Sequence, residues 1–139
     1  MKAKHFFLMS LLSVVLLGAC SRSDELLSDV FGENEELIEQ AKKEPISDVN
    51  KLPDWIRTIV LSAHNGVAVN VYAFEYKGTS YIYVEDIVDS CLTCGRRIFT
   101  TKGVEITPPD DWTDRTGLYY ELDGVDNKTK IFSSFKNYQ

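Results

Sequence analysis

The sequence predicts an α+β domain in which one amphipathic helix packs on an antiparallel sheet of about five or six strands, after a disordered linker. Three observations predict it. Trp55, Ile56, Ile59, Val60 and Ala63 recur at the spacing of one helix face. Downstream, runs rich in β-branched and aromatic residues are split by the short turn signals Lys77-Gly78 and Lys102-Gly103. Upstream, residues 20–51 are polar and strongly acidic, with Phe31 as their one aromatic residue.

Taken in order, the chain begins Met1-Lys2-Ala3-Lys4 and then runs apolar from Phe6 to Leu17, broken by Ser10 and Ser13. A charged start followed by a short apolar run is the pattern of a cleaved signal peptide, here residues 1–19. The run falls short of the ~20 residues that span a bilayer. It closes on Leu17-Gly18-Ala19-Cys20, which resembles the lipobox of bacterial lipoproteins. That resemblance implies a thioether-linked diacylglycerol on Cys20 and a palmitate-type acyl chain on its amino group. Two or three acyl chains anchor far more firmly than one, because each buried CH₂ contributes ~0.8 kcal/mol. Ser21 stands where inner-membrane lipoproteins carry aspartate, so the resemblance places the anchor in the outer membrane and leaves open which side the domain faces. The stretch Ser21 to Glu25 also resembles, loosely, acidic surface-export signals.

Cleavage removes Lys2 and Lys4, leaving 13 basic and 21 acidic residues, a net charge of −8. No Lys/Arg cluster is present, so neither nucleic acid nor an anionic headgroup layer finds a basic stripe in the sequence. Residues 20–51 read as a lipidated, mobile tether that holds the domain off the membrane. Leu37, Ile38 and Ala41 suggest one or two helical turns at 34–43, and a short isolated helix is marginal in water. The folded domain spans 52–139.

That domain opens with a helix over 53–64. Pro53 and Asp54 are favourable first-turn residues, and Asn65-Gly66 stops it. Strands at 67–76 and 79–85 then form a hairpin across Lys77-Gly78. If Tyr76 opposes Thr79, Phe74 opposes Tyr81 and Tyr72 opposes Tyr83 on an aromatic face. Ala73 then meets Ile82, and Val71 meets Val84, on an aliphatic one. A second hairpin, 97–101 with 104–107, places Phe99 opposite Ile106. After the Pro108-Pro109-Asp110-Asp111-Trp112 loop, 118–122 and 129–135 form a last strand pair.

Cys91-Leu92-Thr93-Cys94 is the strongest motif after the lipobox. Outside the cytoplasm two such cysteines tend to oxidise, and the first reading is a structural disulfide pinning a turn. The alternative is a thiol–disulfide redox pair, with Arg96 and Arg97 lowering a thiol pKa, although no βαβ pattern surrounds it. His64 is the single histidine of the mature chain and lies where a helix C-terminus favours a cation. Zinc would need further ligands, and Gly95 stands where covalent haem requires histidine. Asp110, Asp111, Asp114, Asp123 and Asp126 do not follow a calcium-loop spacing and read as turn residues. No cofactor, metal or catalytic residue is implied.

The expected ligand-binding surface is the face of Tyr72, Phe74, Tyr81 and Tyr83, with Trp112, Tyr119 and Tyr120 nearby. Tyrosine joins apolar area to a hydroxyl, and an exposed patch of that size calls for a partner. The competing reading, favoured because a single-layer sheet usually hides one face, buries the same residues as core beneath the 108–116 loop or a second sheet. The order Leu52-Pro53-Asp54-Trp55-Ile56, then the Val71 to Tyr83 hairpin, the cysteine pair and a Lys-Gly turn resembles a group of small lipoproteins of the Bacteroidetes whose function is uncharacterised. The resemblance covers less than half of the precursor and transfers no catalytic residue. The resulting expectation is a non-enzymatic, envelope-anchored binding module for a protein, peptide or glycan.

Overall fold

The sheet grows outward from the turn at Lys77-Gly78. In the computed structural model, which describes residues 24–63, 68–86, 95–111 and 113–134, both turn residues adopt positive φ (50° and 79°). A two-residue turn of that hand matches the right-handed twist of its flanking strands. The turn joins β1 (Val69–Tyr76) to β2 (Thr79–Asp86) in the expected register, with Tyr72 opposite Tyr83, Phe74 opposite Tyr81 and Val71 opposite Val84. β3 (Arg96–Thr100) pairs with β2, and β4 (Glu105–Ile106) pairs with β3. β5 (Thr129–Ser133) lies on the free side of β1 and completes a five-stranded antiparallel sheet in the order β4-β3-β2-β1-β5.

The second hairpin is one residue out of the expected register, with Ile98 opposite Ile106 and Phe99 opposite Glu105. The connection spans four residues rather than two. Thr100 N donates to Val104 O (2.8 Å) and Gly103 N donates to Thr100 O (3.0 Å). Since side chains alternate, that slip changes which residues share a face. Ile98 and Ile106 join the aromatic side, while Phe99 packs on the aliphatic side with Trp55, ring centroids 5.7 Å apart.

Two further expectations give way to packing. Residues 118–122 are helical rather than extended: α4 (Leu118–Asp123) follows Gly117 at φ 99°. Tyr119 and Leu122, three apart, turn toward the sheet, and Leu122 is fully buried. Helical spacing therefore overrides the β-propensity of Tyr119-Tyr120. The chain after α4 crosses to the opposite edge, so β5 pairs with β1 and not with residues 118–122.

The acidic stretch expected as a disordered linker is part of the fold from residue 24. It holds a helix, α1, over residues 24–31 and a second, α2 (Glu35–Lys43), capped by Asn34 Oδ1 accepting from Leu37 N at 3.2 Å. A short helix that is marginal alone is stabilised when an apolar stripe is buried. Here Leu27, Val30, Phe31, Ile38 and Ala41 supply that stripe. Beyond α2, Ile46 lies fully buried against the outer side of β5. Its N–H donates to Ile131 O (2.8 Å), and its carbonyl accepts from Ser133 N (3.1 Å).

The expected helix at 53–64 is α3 (Asp54–Ser62), burying Ile56 and Val60. α1, α2 and α3 together cover the aliphatic face of Val69, Val71, Ala73, Ile82 and Val84. A register shift between Val71 and Tyr72 lets two successive β5 residues, Ile131 and Phe132, enter that same core. Among the described residues, no helix is long and apolar enough to cross a membrane.

Candidate binding groove

The four residues expected to form an exposed recognition face are placed largely inside the protein. Phe74 is fully buried, Tyr81 and Tyr83 are 9% and 7% exposed, and Tyr72 is half-buried. Among the described residues the cover comes from α4, through Tyr119, Leu122 and the following Val125; Trp112, expected to bring the 108–116 loop over this face, lies outside them. An aromatic face on a one-layer sheet must be hidden, and the chain crossing from β4 to β5 hides it. Cys20, His64, Cys91, Cys94 and Trp112 lie outside the described residues. What borders the cysteine pair is described: Asp86 N donates to Gly95 O (2.6 Å), and a Cβ on Gly95 would stand 2.0 Å from Asp86 O, so only glycine fits there.

The aromatic face ends in a polar rim. The register aligns Asn70, Glu85 and Arg96 across three strands. Glu85 Oε2 accepts from Tyr72 OH at 3.2 Å and from Asn70 Nδ2 at 3.4 Å, while the buried Asn70 Oδ1 has no hydrogen-bond partner among the described residues. One step inward, Asp123 at the end of α4 accepts from Tyr83 OH (3.3 Å) and from Arg96 Nη1 (3.5 Å). Lys128 donates to Asp123 O (3.0 Å) and Val125 O (2.6 Å), with its ammonium 4.7 Å from the Tyr83 ring centroid. These contacts fix the end of α4 to the sheet.

Burial sets the protonation behaviour of the rim. It pushes the Tyr83 phenol above its usual pKa, and the nearby Asp123 carboxylate adds to the shift. Tyr72 is raised by burial and then by Glu85, and Tyr119 by burial and then by Asp123. Burial lowers the Lys128 ammonium, against the opposing pull of Asp123. The three phenols therefore stay protonated donors through the physiological range.

On the outer side of this rim lies an open groove of about 330 Å³, lined by Arg96, Pro108, Pro109, Arg115, Tyr119, Tyr120 and Asp123. Tyr119 and Tyr120 meet edge to face with centroids 5.2 Å apart, and Tyr119 OH donates to Arg96 O at 3.2 Å. The Arg115 guanidinium lies 5.4 Å from the Tyr120 centroid. Among the described residues Arg115 pairs with no carboxylate. A guanidinium over a ring and without a carboxylate partner has N–H donors to offer a planar anion. The half-buried Tyr119, Tyr120 and Pro109, with the exposed Pro108, supply apolar walls for what the anion is attached to.

Of these residues the sequence pointed to Tyr119 and Tyr120 only as neighbours of another surface, to Arg96 as a partner of the cysteines, and to Asp123 as a turn residue. Arg115 and Lys128 carried no local signal, because their roles come from contacts across α4 and the sheet. Among the described residues, no group of three or more His, Cys, Asp or Glu side chains is gathered as a metal site. Comparison with known proteins found no matching family model, curated protein or solved structure.

Proposed function

We propose that this chain is a lipid-anchored binding module of the bacterial envelope, held in the outer membrane through Cys20, whose recognition surface is the groove beside α4. The observation that carries the reading is the Arg115 guanidinium over the Tyr120 ring in a groove that Pro108, Pro109 and Arg96 also line, in an otherwise acidic protein. That chemistry suits a carboxylate or another planar anion borne on an apolar or ring-shaped body. An acidic peptide end and an acidic sugar both meet the description. Asp123 restrains Arg96 and so favours ligands that pair with Arg115 first.

The test uses the detergent-solubilised full-length lipoprotein on arrays of peptides with free or amidated C-termini and of neutral or acidic glycans. Binding by the wild type that falls at least tenfold in Arg115→Ala and Tyr120→Ala, with little loss for an exposed control such as Lys77→Ala, supports the groove. Unchanged binding by both groove variants would move the recognition surface elsewhere. Arg115→Lys is expected to recover little, because an ammonium lacks the planar fork.

A further inference from the structure

The lipid-bearing residue and the fold lie close together in the sequence. Cys20 and Asp24 are four residues apart, so their Cα atoms are separated by at most ~14 Å whatever lies between. Asp24 already belongs to α1, and α1 contributes Leu27, Val30 and Phe31 to the main core. Residues that would have formed a long tether are thus committed to packing. We propose that the anchored domain rests on the bilayer, and that the surface around the start of α1 docks on the lipid headgroup layer. This rests on the lipid anchor at Cys20 and is independent of the groove.

The charge pattern gives the orientation. α1 and α2 run antiparallel, joined by residues 32–34, and an ion pair between Lys42 and Asp24 sets the end of α2 beside the start of α1. Lys42 also holds Glu39 (2.8 Å), and Lys51 Nζ reaches Gln40 Oε1 (3.4 Å). At this end Lys42, Lys43 and Lys51 stand among Asp24, Glu25, Glu39 and Glu44, so the charges are about balanced. The other end of the hairpin carries Glu33, Glu35 and Glu36, and no lysine or arginine occurs from residue 24 to 41. Nine residues at 1.5 Å rise separate the two ends of α2 by ~13 Å, beyond the ~10 Å over which salt screens charge. An anionic headgroup layer therefore repels the far end and tolerates the near one, the same end that the short leash delivers to it.

The experiment reconstitutes the lipidated protein in vesicles of phosphatidylethanolamine and phosphatidylglycerol that contain a headgroup-located quencher lipid. A fluorescent amino acid is placed at position 43 or at position 35, both exposed. Quenching at 43 several-fold stronger than at 35 is expected, and a long Gly/Ser insert between Ser23 and Asp24 is expected to abolish the difference while the protein still floats with vesicles. Equal quenching with the native spacing, or a difference that survives the insert, would overturn docking and leave the anchor standing. Wild type that fails to float, or Cys20→Ser that floats equally well, would overturn the anchor and docking together. Shielding of position 43 that persists in detergent and grows with protein concentration would mean that a second copy covers this end, which would also overturn it.

Discussion

The two faces of the sheet are both buried, but by different means. The aliphatic face receives three helices and a continuous apolar core, with Ile46, Ile56, Val69, Val71, Ala73, Ile82 and Ile131 fully buried. The aromatic face receives one six-residue helix, and its smaller cluster ends in hydroxyls, carboxylates and a lysine. A tyrosine can serve as core through its ring and as a rim donor through its hydroxyl. The side under three helices thus supplies most of the packing, while the side under α4 is where polar groups reach solvent and a groove opens. The groove proposed for recognition lies on the opposite face of the sheet from most of the packing.

The largest expected effect tests the stronger face. Phe132→Ala removes a ring that is 1% exposed beneath α1 to α3, and should cost ~3–5 kcal/mol in chemical denaturation. Leu122→Ala removes the fully buried anchor of α4. It should cost ~2–3 kcal/mol, the low end for such truncations, because a six-residue helix at the surface can settle into the space. An equal cost for both substitutions would break the comparison and make α4 as integral to stability as the three-helix layer.

How much of this was legible in the sequence follows the range of the interactions. The β1–β2 register was readable because Lys77-Gly78 fixes both turn geometry and pairing locally. α3 was readable because its stripe is dense and bounded by Pro53. Within 24–43 the helical turns at 34–43 were legible from Leu37, Ile38 and Ala41, but α1 and the docking of both helices were obscured: their apolar residues sit among many carboxylates, and their burial depends on a sheet some fifty residues downstream. Tyr119-Tyr120 looked like strand because β-propensity is local, whereas what decides α4 is the cover demanded by Phe74, Tyr81 and Tyr83. The aromatic set was identified correctly by alternation, which left its exposure open between a recognition face and a covered core, since alternation reports which residues share a face and not what lies above it. The groove was the least legible, because Arg96, Arg115 and Asp123 converge only after α4 has crossed the sheet.

A smaller effect separates the faces by pH. Tyr72, Tyr83 and Tyr119 have folded-state pKa values raised above the ordinary ~10 of an unfolded phenol. The folded state therefore binds more protons than the unfolded state in that range. The associated stability is fully present below pH ~10 and is lost as pH rises above it. Lys42, raised by Asp24 and Glu39, adds a loss of the same sign from the other face. Tyr83→Phe distinguishes the two. It should cost ~1 kcal/mol at neutral pH, by removing a donor to Asp123, and should flatten part of the alkaline decline in a melting series from pH 9 to 11.5. An alkaline slope identical to wild type would assign the decline to Lys42 or to the other phenols.

The smallest effect has the opposite pH sign and sits at the rim of the aliphatic face. Arg97 and Glu105 form a two-pronged ion pair (3.0 and 2.9 Å), with the guanidinium 5.0 Å from the Phe99 ring centroid. The hydrogen bonds from Arg97 lower the Glu105 pKa, so the stability they contribute is present above the unfolded glutamate value near ~4.3 and fades as pH falls. Both groups are substantially exposed, and solvent screening holds the contribution below ~1 kcal/mol. Glu105→Gln should lower the melting temperature slightly at pH 7 and low salt, converge on wild type below pH 4, and lose most of its effect in molar salt. A difference that persisted at pH 3 would mean that residue 105 acts through the β3–β4 pairing and not through its charge. The acid-sensitive contact would then vanish from the aliphatic face, leaving acid sensitivity to carboxylates such as Asp111 and Asp114, whose hydrogen bonds from Thr113 and Thr116 lower their pKa values.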